Sequence, residues 1–145
     1  MYILPVDQVE RLLACVDEAF PCEAAGLLLG RRVGRFTVLT VASVSSAENT
    51  PLSFRIRNAD IARVASSLEG STTKICGCFH SHVLGDARPS RTDRQGAAEF
   101  GNLWLIYSVR FRRLKLFRWH GTAFFGERFR FAPPISGRDS VVQNS

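Results

Sequence analysis

Apolar residues recur at Val9, Leu12, Leu13, Val16, Ala19 and Phe20, the spacing of one helical face, and predict a helix over Val6–Phe20. Asp7 and Glu10 lie favourably near its N-terminal dipole, and Pro21 ends it. Ala24–Gly30 is a short apolar run, Arg31–Gly34 is turn-like, and Phe36–Val44 is rich in β-branched residues; together they predict a hairpin. Asn49-Thr50-Pro51 reads as a loop and Phe54–Arg57 as a short alternating strand. Asn58 can then cap a helix carrying Ile61, Val64, Ala65 and Leu68, which stops at Gly70. Lys74–Phe79 predicts a strand running into His80-Ser81-His82, with a loop to Pro89 and a helix near Ser90–Phe100 behind it. Leu103–Val109 reads as a buried central strand, and Leu114–Trp119 and Ala123–Ala132 as strands after tight turns. The order of elements predicts a mixed sheet covered by helices, a single domain over residues 1–132, and a disordered tail over 133–145.

Composition narrows the class. A chain of 145 residues is long enough to bury one core, and 46% hydrophobic with 22% charged residues is ordinary for a soluble globular protein. Acidic Asp7 and Glu10 stand where a signal peptide would carry its apolar core. Apolar runs such as Leu103–Tyr107 fall far below the roughly 20 residues of a membrane helix. A cytoplasmic protein with no membrane partner is expected. The four cysteines, Cys15, Cys22, Cys76 and Cys78, are then expected as reduced thiols. Cys76 and Cys78 flank Gly77 in an apolar run, without the spacing of a zinc knuckle.

The net charge of +6 is nearly all arginine and is densest over Arg110–Arg118. There, basic and apolar residues interleave as in a half-buried strand with a solvated face. That reading is preferred to a nucleic-acid groove, and the charge also suits an acidic protein substrate.

The candidate chemistry lies in His80-Ser81-His82 and the residues up to Asp93. Histidines two apart at a strand end project to one side, and a carboxylate in the first turn of the next helix can swing back to join them. Two imidazoles and one carboxylate leave a fourth tetrahedral position free, the pattern of a catalytic zinc site. Against this, Ser90 and Asp93 alone could form a capping box. The pattern His-x-His-x7-Ser-x2-Asp arises by chance in roughly one chain in several thousand, which favours metal.

The same stretch resembles the JAMM/MPN-plus (Mov34/PAD-1) metalloprotease family: His-Ser-His, seven residues, Ser90, two residues, Asp93. That family carries a glutamate just before a Gly-rich apolar strand, and Glu23 before Gly26 and Gly30 matches it; the likeness spans roughly residues 5–132. The resemblance implies a three-layer α/β/α sandwich with a mixed sheet, similar to cytidine deaminases in fold but lacking their paired-cysteine motif. It further implies one zinc per chain held by His80, His82 and Asp93, Glu23 as the proton carrier, and Ser90 as a donor to the oxyanion. On spacing alone Glu23 reads as a plain exposed carboxylate, and Ser90 as an N-cap. The family commonly has Pro after His-Ser-His; Val83 stands there instead, which bears on loop rigidity more than on metal binding.

For substrate, the resemblance implies a ubiquitin-like protein or its conjugates, cleaved after a C-terminal Gly-Gly, as in bacterial conjugation and phage-defence systems. Processing of a ubiquitin-like sulfur carrier in cysteine or cofactor synthesis is the alternative. A scaffold that binds without catalysis is the competing class.

Overall fold

The computed structural model describes residues 1–45 and 48–135. The expected tail lies outside the described residues from position 136 onward. In chain order the elements are β1 (Tyr2–Pro5), α1 (Val6–Ala19), β2 (Ala25–Val33), β3 (Phe36–Ser43), α2 (Asn58–Ser67), β4 (Lys74–His82), α3 (Arg91–Gln95), β5 (Leu103–Ser108), β6 (Arg113–Trp119), β7 (Phe124–Glu127) and β8 (Phe129–Ala132). Among the described residues the strands form one eight-stranded mixed sheet, ordered β7-β6-β5-β4-β2-β3-β1-β8.

Alternation along the strands divides the core into two faces. Leu28, Phe79, Leu105 and Leu116 point to one side, where they pack with Leu12 and Val16 of α1. Leu27, Leu29, Cys78 and Trp104 point to the other, where they meet Val64 of α2 and Ile56 from the segment before it. Helices thus cover both faces of the sheet, and the fold is a single-domain α/β sandwich. The four cysteines are free thiols, with Cys76 and Cys78 inside β4 as expected.

The α1 helix follows the predicted face, but Phe20 lies beyond it and is 57% exposed. Its buried stripe includes a polar residue, Gln8, whose Oε1 accepts the Val41 amide at 3.0 Å and so ties α1 to β3. The predicted hairpin is present, closed by Gly34-Arg35 with Gly34 at φ 59°, a left-handed conformation that glycine adopts without strain.

Four expectations are corrected. Phe54–Arg57 is extended but forms no strand: the Arg55 amide donates to Asn49 Oδ1 at 2.9 Å instead of to a neighbouring strand. Helix α2 is entered from Arg57, so Asn58 lies inside it and supplies no side-chain cap. Helix α3 covers only Arg91–Gln95 because the chain turns at Gly96, where the Trp104 indole takes the Ala97 carbonyl at 3.0 Å. Ala123–Ala132 is two strands, since around Arg128 the chain leaves β6 and pairs in parallel with β1.

Beside the metal motif, β2 and β4 approach closely. A Cβ on Gly26 would overlap the Phe79 ring and lie 2.5 Å from the Ala42 carbonyl oxygen, and Phe79 is fully buried. Gly26→Ala is therefore expected to lower the unfolding free energy by about 1–3 kcal/mol, by overpacking a filled core. Chemical denaturation measures this; an unchanged midpoint would show that the strands can separate there.

Candidate metal centre

The last three residues of β4 carry the motif, and the sheet register sets their directions. His80 continues the face of Cys78, among the aromatic side chains of the α2 side. Phe54 stacks on its ring at a centroid distance of 4.6 Å, and Trp104 meets it edge-on at 5.5 Å. Ala25 pairs with His80, so continuing the antiparallel ladder by two residues brings Glu23 opposite His82, on the same face. Ser81 points to the other side. Its Oγ accepts the Ala24 amide at 2.8 Å, while its own amide donates to the Ala24 carbonyl at 2.9 Å. This reciprocal pair extends the ladder past the end of β2.

Asn49 holds the same segment from the loop side. Its Nδ2 donates to the Glu23 carbonyl at 2.8 Å, and the Glu23 amide donates to the Thr50 carbonyl at 2.8 Å. Asn49 and Ser81 are thus the residues that anchor Glu23. Both lie within the stretch of the family likeness, Ser81 in the His-Ser-His motif itself, but no local pattern assigned them an anchoring role. Asn49 sits in an ordinary turn sequence, and the hydroxyl of Ser81 finds its partner 57 positions away.

The third donor comes from α3. Ser90 Oγ accepts the Asp93 amide at 3.1 Å, and Asp93 Oδ2 accepts the Ser90 amide at 2.8 Å, a reciprocal capping box. The same Oδ2 lies 3.2 Å from both His80 Nε2 and His82 Nε2, which are 3.0 Å apart. Ser90 as N-cap and Asp93 as a convergent carboxylate therefore coexist.

Does this donor set fit a metal ion? Zinc bonds of 2.0–2.1 Å in a tetrahedron put neighbouring donors about 3.3 Å apart, close to the three separations found. His82 Nδ1 faces the Asp86 carbonyl at 2.8 Å, which can only accept, so Nδ1 carries hydrogen and Nε2 presents its lone pair to the others. Two imidazole Nε2 atoms and a carboxylate oxygen, all buried, meet at one point, and His80 Nδ1 on the other side of its ring has no hydrogen-bond partner. A cation at that point would take a lone pair from each of the three. His80, His82 and Asp93 can hold one metal ion.

Electrostatics follow from burial. Desolvation would raise Asp93, but hydrogen bonding to His80 and His82, the charge of His80 and the Ser90 amide hold it well below the carboxylate range. Burial lowers His80; for His82 burial is outweighed by Asp93, the Asp86 carbonyl and Glu23, and its value rises. Glu23 is 6% exposed, and burial pushes its carboxyl up to about 7, with His82 opposing and Asp93 adding to the rise. Glu23, Ser90 and Asp93 line one cleft of about 690 Å³, bounded by the loop before α2 and by α3.

The fold is an α/β sandwich, and two histidines and one carboxylate at a strand end form a group that could hold one metal ion. The chain belongs to the family of prokaryotic homologs of the JAB domain, which matches residues 5–120. It is 30% identical to the desampylase of Haloferax volcanii over 72% of this chain and 74% of that protein. It is 28% identical to the CysO-cysteine peptidase of Mycobacterium tuberculosis over 76% of each. A Desulfitobacterium hafniense protein of known solution structure superposes with a TM-score of 0.82 at 26% identity, over 95% of this chain and 97% of that one. Among the described residues no helix is long and apolar enough to cross a membrane.

The purified protein is expected to carry about one metal ion per chain, lost in His82→Ala and Asp93→Asn, by elemental analysis. Wild-type metal content no higher than that of the variants would rule out the centre. A second test concerns Glu23. In metal-stripped protein its folded carboxyl titrates at about 7 against an ordinary 4.5. The folded chain thus holds a proton the unfolded one has released, and the stability this carboxyl contributes at low pH is lost as pH rises through about 7. Metal-stripped Glu23→Gln should gain melting temperature over metal-stripped wild type between about pH 5 and pH 8. A gap that does not change with pH would contradict the buried-carboxyl assignment.

Proposed function

We propose that this chain is a zinc-dependent peptidase that cleaves the bond following the C-terminal Gly-Gly of a ubiquitin-like protein, in the manner of a deubiquitinase. The observation that carries this reading is the convergence of His80, His82 and Asp93 to within 3.0–3.2 Å, with Asp93 and Glu23 both lining one cleft. The kinship with a desampylase supports the substrate class.

Zinc, when bound, supplies Lewis-acid polarisation of a scissile carbonyl and lowers the pKa of water toward neutrality. The remaining work falls to protein groups. Glu23 takes the proton of the attacking water and passes it to the leaving amine; burial lifts its carboxyl toward the pH at which one group can do both. Asn49 and Ser81 hold the Glu23 backbone, so the carboxylate needs little reorganisation. The Ser90 hydroxyl uses a lone pair for the Asp93 amide, which leaves its proton to donate to the developing oxyanion. The extended tail of a ubiquitin-like protein suits a narrow cleft between a loop and a short helix.

A second reading is release of an amino acid from a small ubiquitin-like sulfur carrier. It is supported by the kinship with a peptidase whose name specifies a cysteine adduct. The two readings share the centre and differ in the leaving group.

Zinc-loaded protein incubated with ubiquitin-like proteins fused through Gly-Gly to a reporter should release the reporter. Glu23→Gln should lower kcat by about 10²–10⁴-fold at unchanged zinc content. Fusions left intact by the wild type, or cut equally by Glu23→Gln, would sink the proposal. A carrier–cysteine adduct cut in preference to a lysine isopeptide would select the second reading.

A further inference from the structure

A second groove, of about 750 Å³, lies on the far side of α3 from the metal cleft. Its charged rim is Arg88, Arg94, Lys115, Arg128 and Arg130. All five are exposed, and among the described residues none has an acidic partner. The one acidic residue lining the groove, Glu127, is engaged by Arg118 at 3.2 Å. Apolar residues line the groove from both faces of the sheet, Leu114 and Phe129 from the α1 side and Phe117 and Phe124 from the α2 side.

The groove exists because the sheet forks. Strand β7 pairs with β6 only over Leu116–Trp119. Continuing that ladder would put Arg128 opposite Lys115 and Phe129 opposite Leu114, but Phe129 pairs with Tyr2 of β1 instead. Arg113, Leu114 and Lys115 therefore have a strand partner on the β5 side alone. An unpaired stretch of strand exposes main-chain donors and acceptors, which an added strand satisfies.

We propose that this groove docks an acidic, extended segment of a partner protein, added along the free edge of β6 with its carboxylates among Arg88, Arg94, Lys115, Arg128 and Arg130. Main-chain pairing supplies alignment, the apolar residues on the two faces take alternate side chains, and the uncompensated charge supplies steering. A peptide satisfies all three features, whereas a nucleic acid would use the charge and leave the strand edge unpaired. Arg88 and Arg94 flank Ser90 and Asp93 in sequence, so an occupant rests against the segment that carries them. Docking itself is independent of catalysis at the metal centre.

The test uses the full chain and a fluorescein-labelled twelve-residue peptide alternating Glu and Val, against a Lys-Val peptide and an oligothymidylate. The Glu-Val peptide should bind more tightly than either control and lose affinity as salt rises. Its dissociation constant should increase about tenfold or more in Arg128→Glu/Arg130→Glu and in Lys115→Glu, and stay unchanged in Glu23→Gln. Amide hydrogen exchange over Arg113–Lys115 should slow on binding. Equal binding by the charge-reversed variants, or no slowing at Arg113–Lys115, would overturn the proposal. Tighter binding of oligothymidylate would replace the peptide with nucleic acid.

Discussion

The candidate site depends on one strand register: Ala25 opposite His80, prolonged by the two hydrogen bonds between Ala24 and Ser81. Because period-two alternation is strict, a slip of one residue would turn His80 and His82 to the α1 face and send Glu23 away from them. Several features resist such a slip. Gly26 admits the buried Phe79 ring where no side chain would fit, the β4 backbone at Gly77 lies against the Leu103 carbonyl, and Asn49 grips the chain just before β2. Packing on one face of the sheet thereby sets chemistry on the other.

Around this register the molecule concentrates buried polarity. His80, His82, Asp93 and Glu23 are all nearly inaccessible, within a wall of aromatic residues that includes Phe54 and Trp104. Burial of such groups is costly unless they are paired or bind a cation. Two of them are compensated within the protein: the Asp86 carbonyl fixes His82, and the Ser90 amide meets Asp93, whereas His80 Nδ1 has no partner. What these contacts leave over is a set of lone pairs with a common focus. The short helix α3 contributes through its first turn alone, whose capping box orients Asp93 by local geometry.

The other end of the sheet follows a different logic. The strand that leaves β6 at Arg128 joins β1, and the resulting fork leaves a basic, partly apolar groove behind α3. Lys115, from the basic stretch Arg110–Arg118 that the sequence marked as a strand with a solvated face, is joined there by Arg88, Arg94, Arg128 and Arg130 from elsewhere in the chain.

Much was legible in the sequence where periodicity is local and strong. The face of α1, the β2–β3 hairpin and the run of β4 into His80-Ser81-His82 follow from spacing; the convergence of Asp93 follows from two short-range geometries, strand alternation and a first-turn acid. Phe54–Arg57 misled because alternation marks a half-buried extended segment and cannot say whether a neighbour offers hydrogen bonds. Ala123–Ala132 misled because a strand's pattern is the same whichever partner it takes, and here the partner changes at Arg128. The candidate metal donors were thus determined largely by the sequence itself, through strand alternation and a helix cap, each set within a few residues. The neighbourhood of Glu23, its anchoring by Asn49 and Ser81, and the basic fork were decided by tertiary structure alone, because each depends on which distant strand lies alongside.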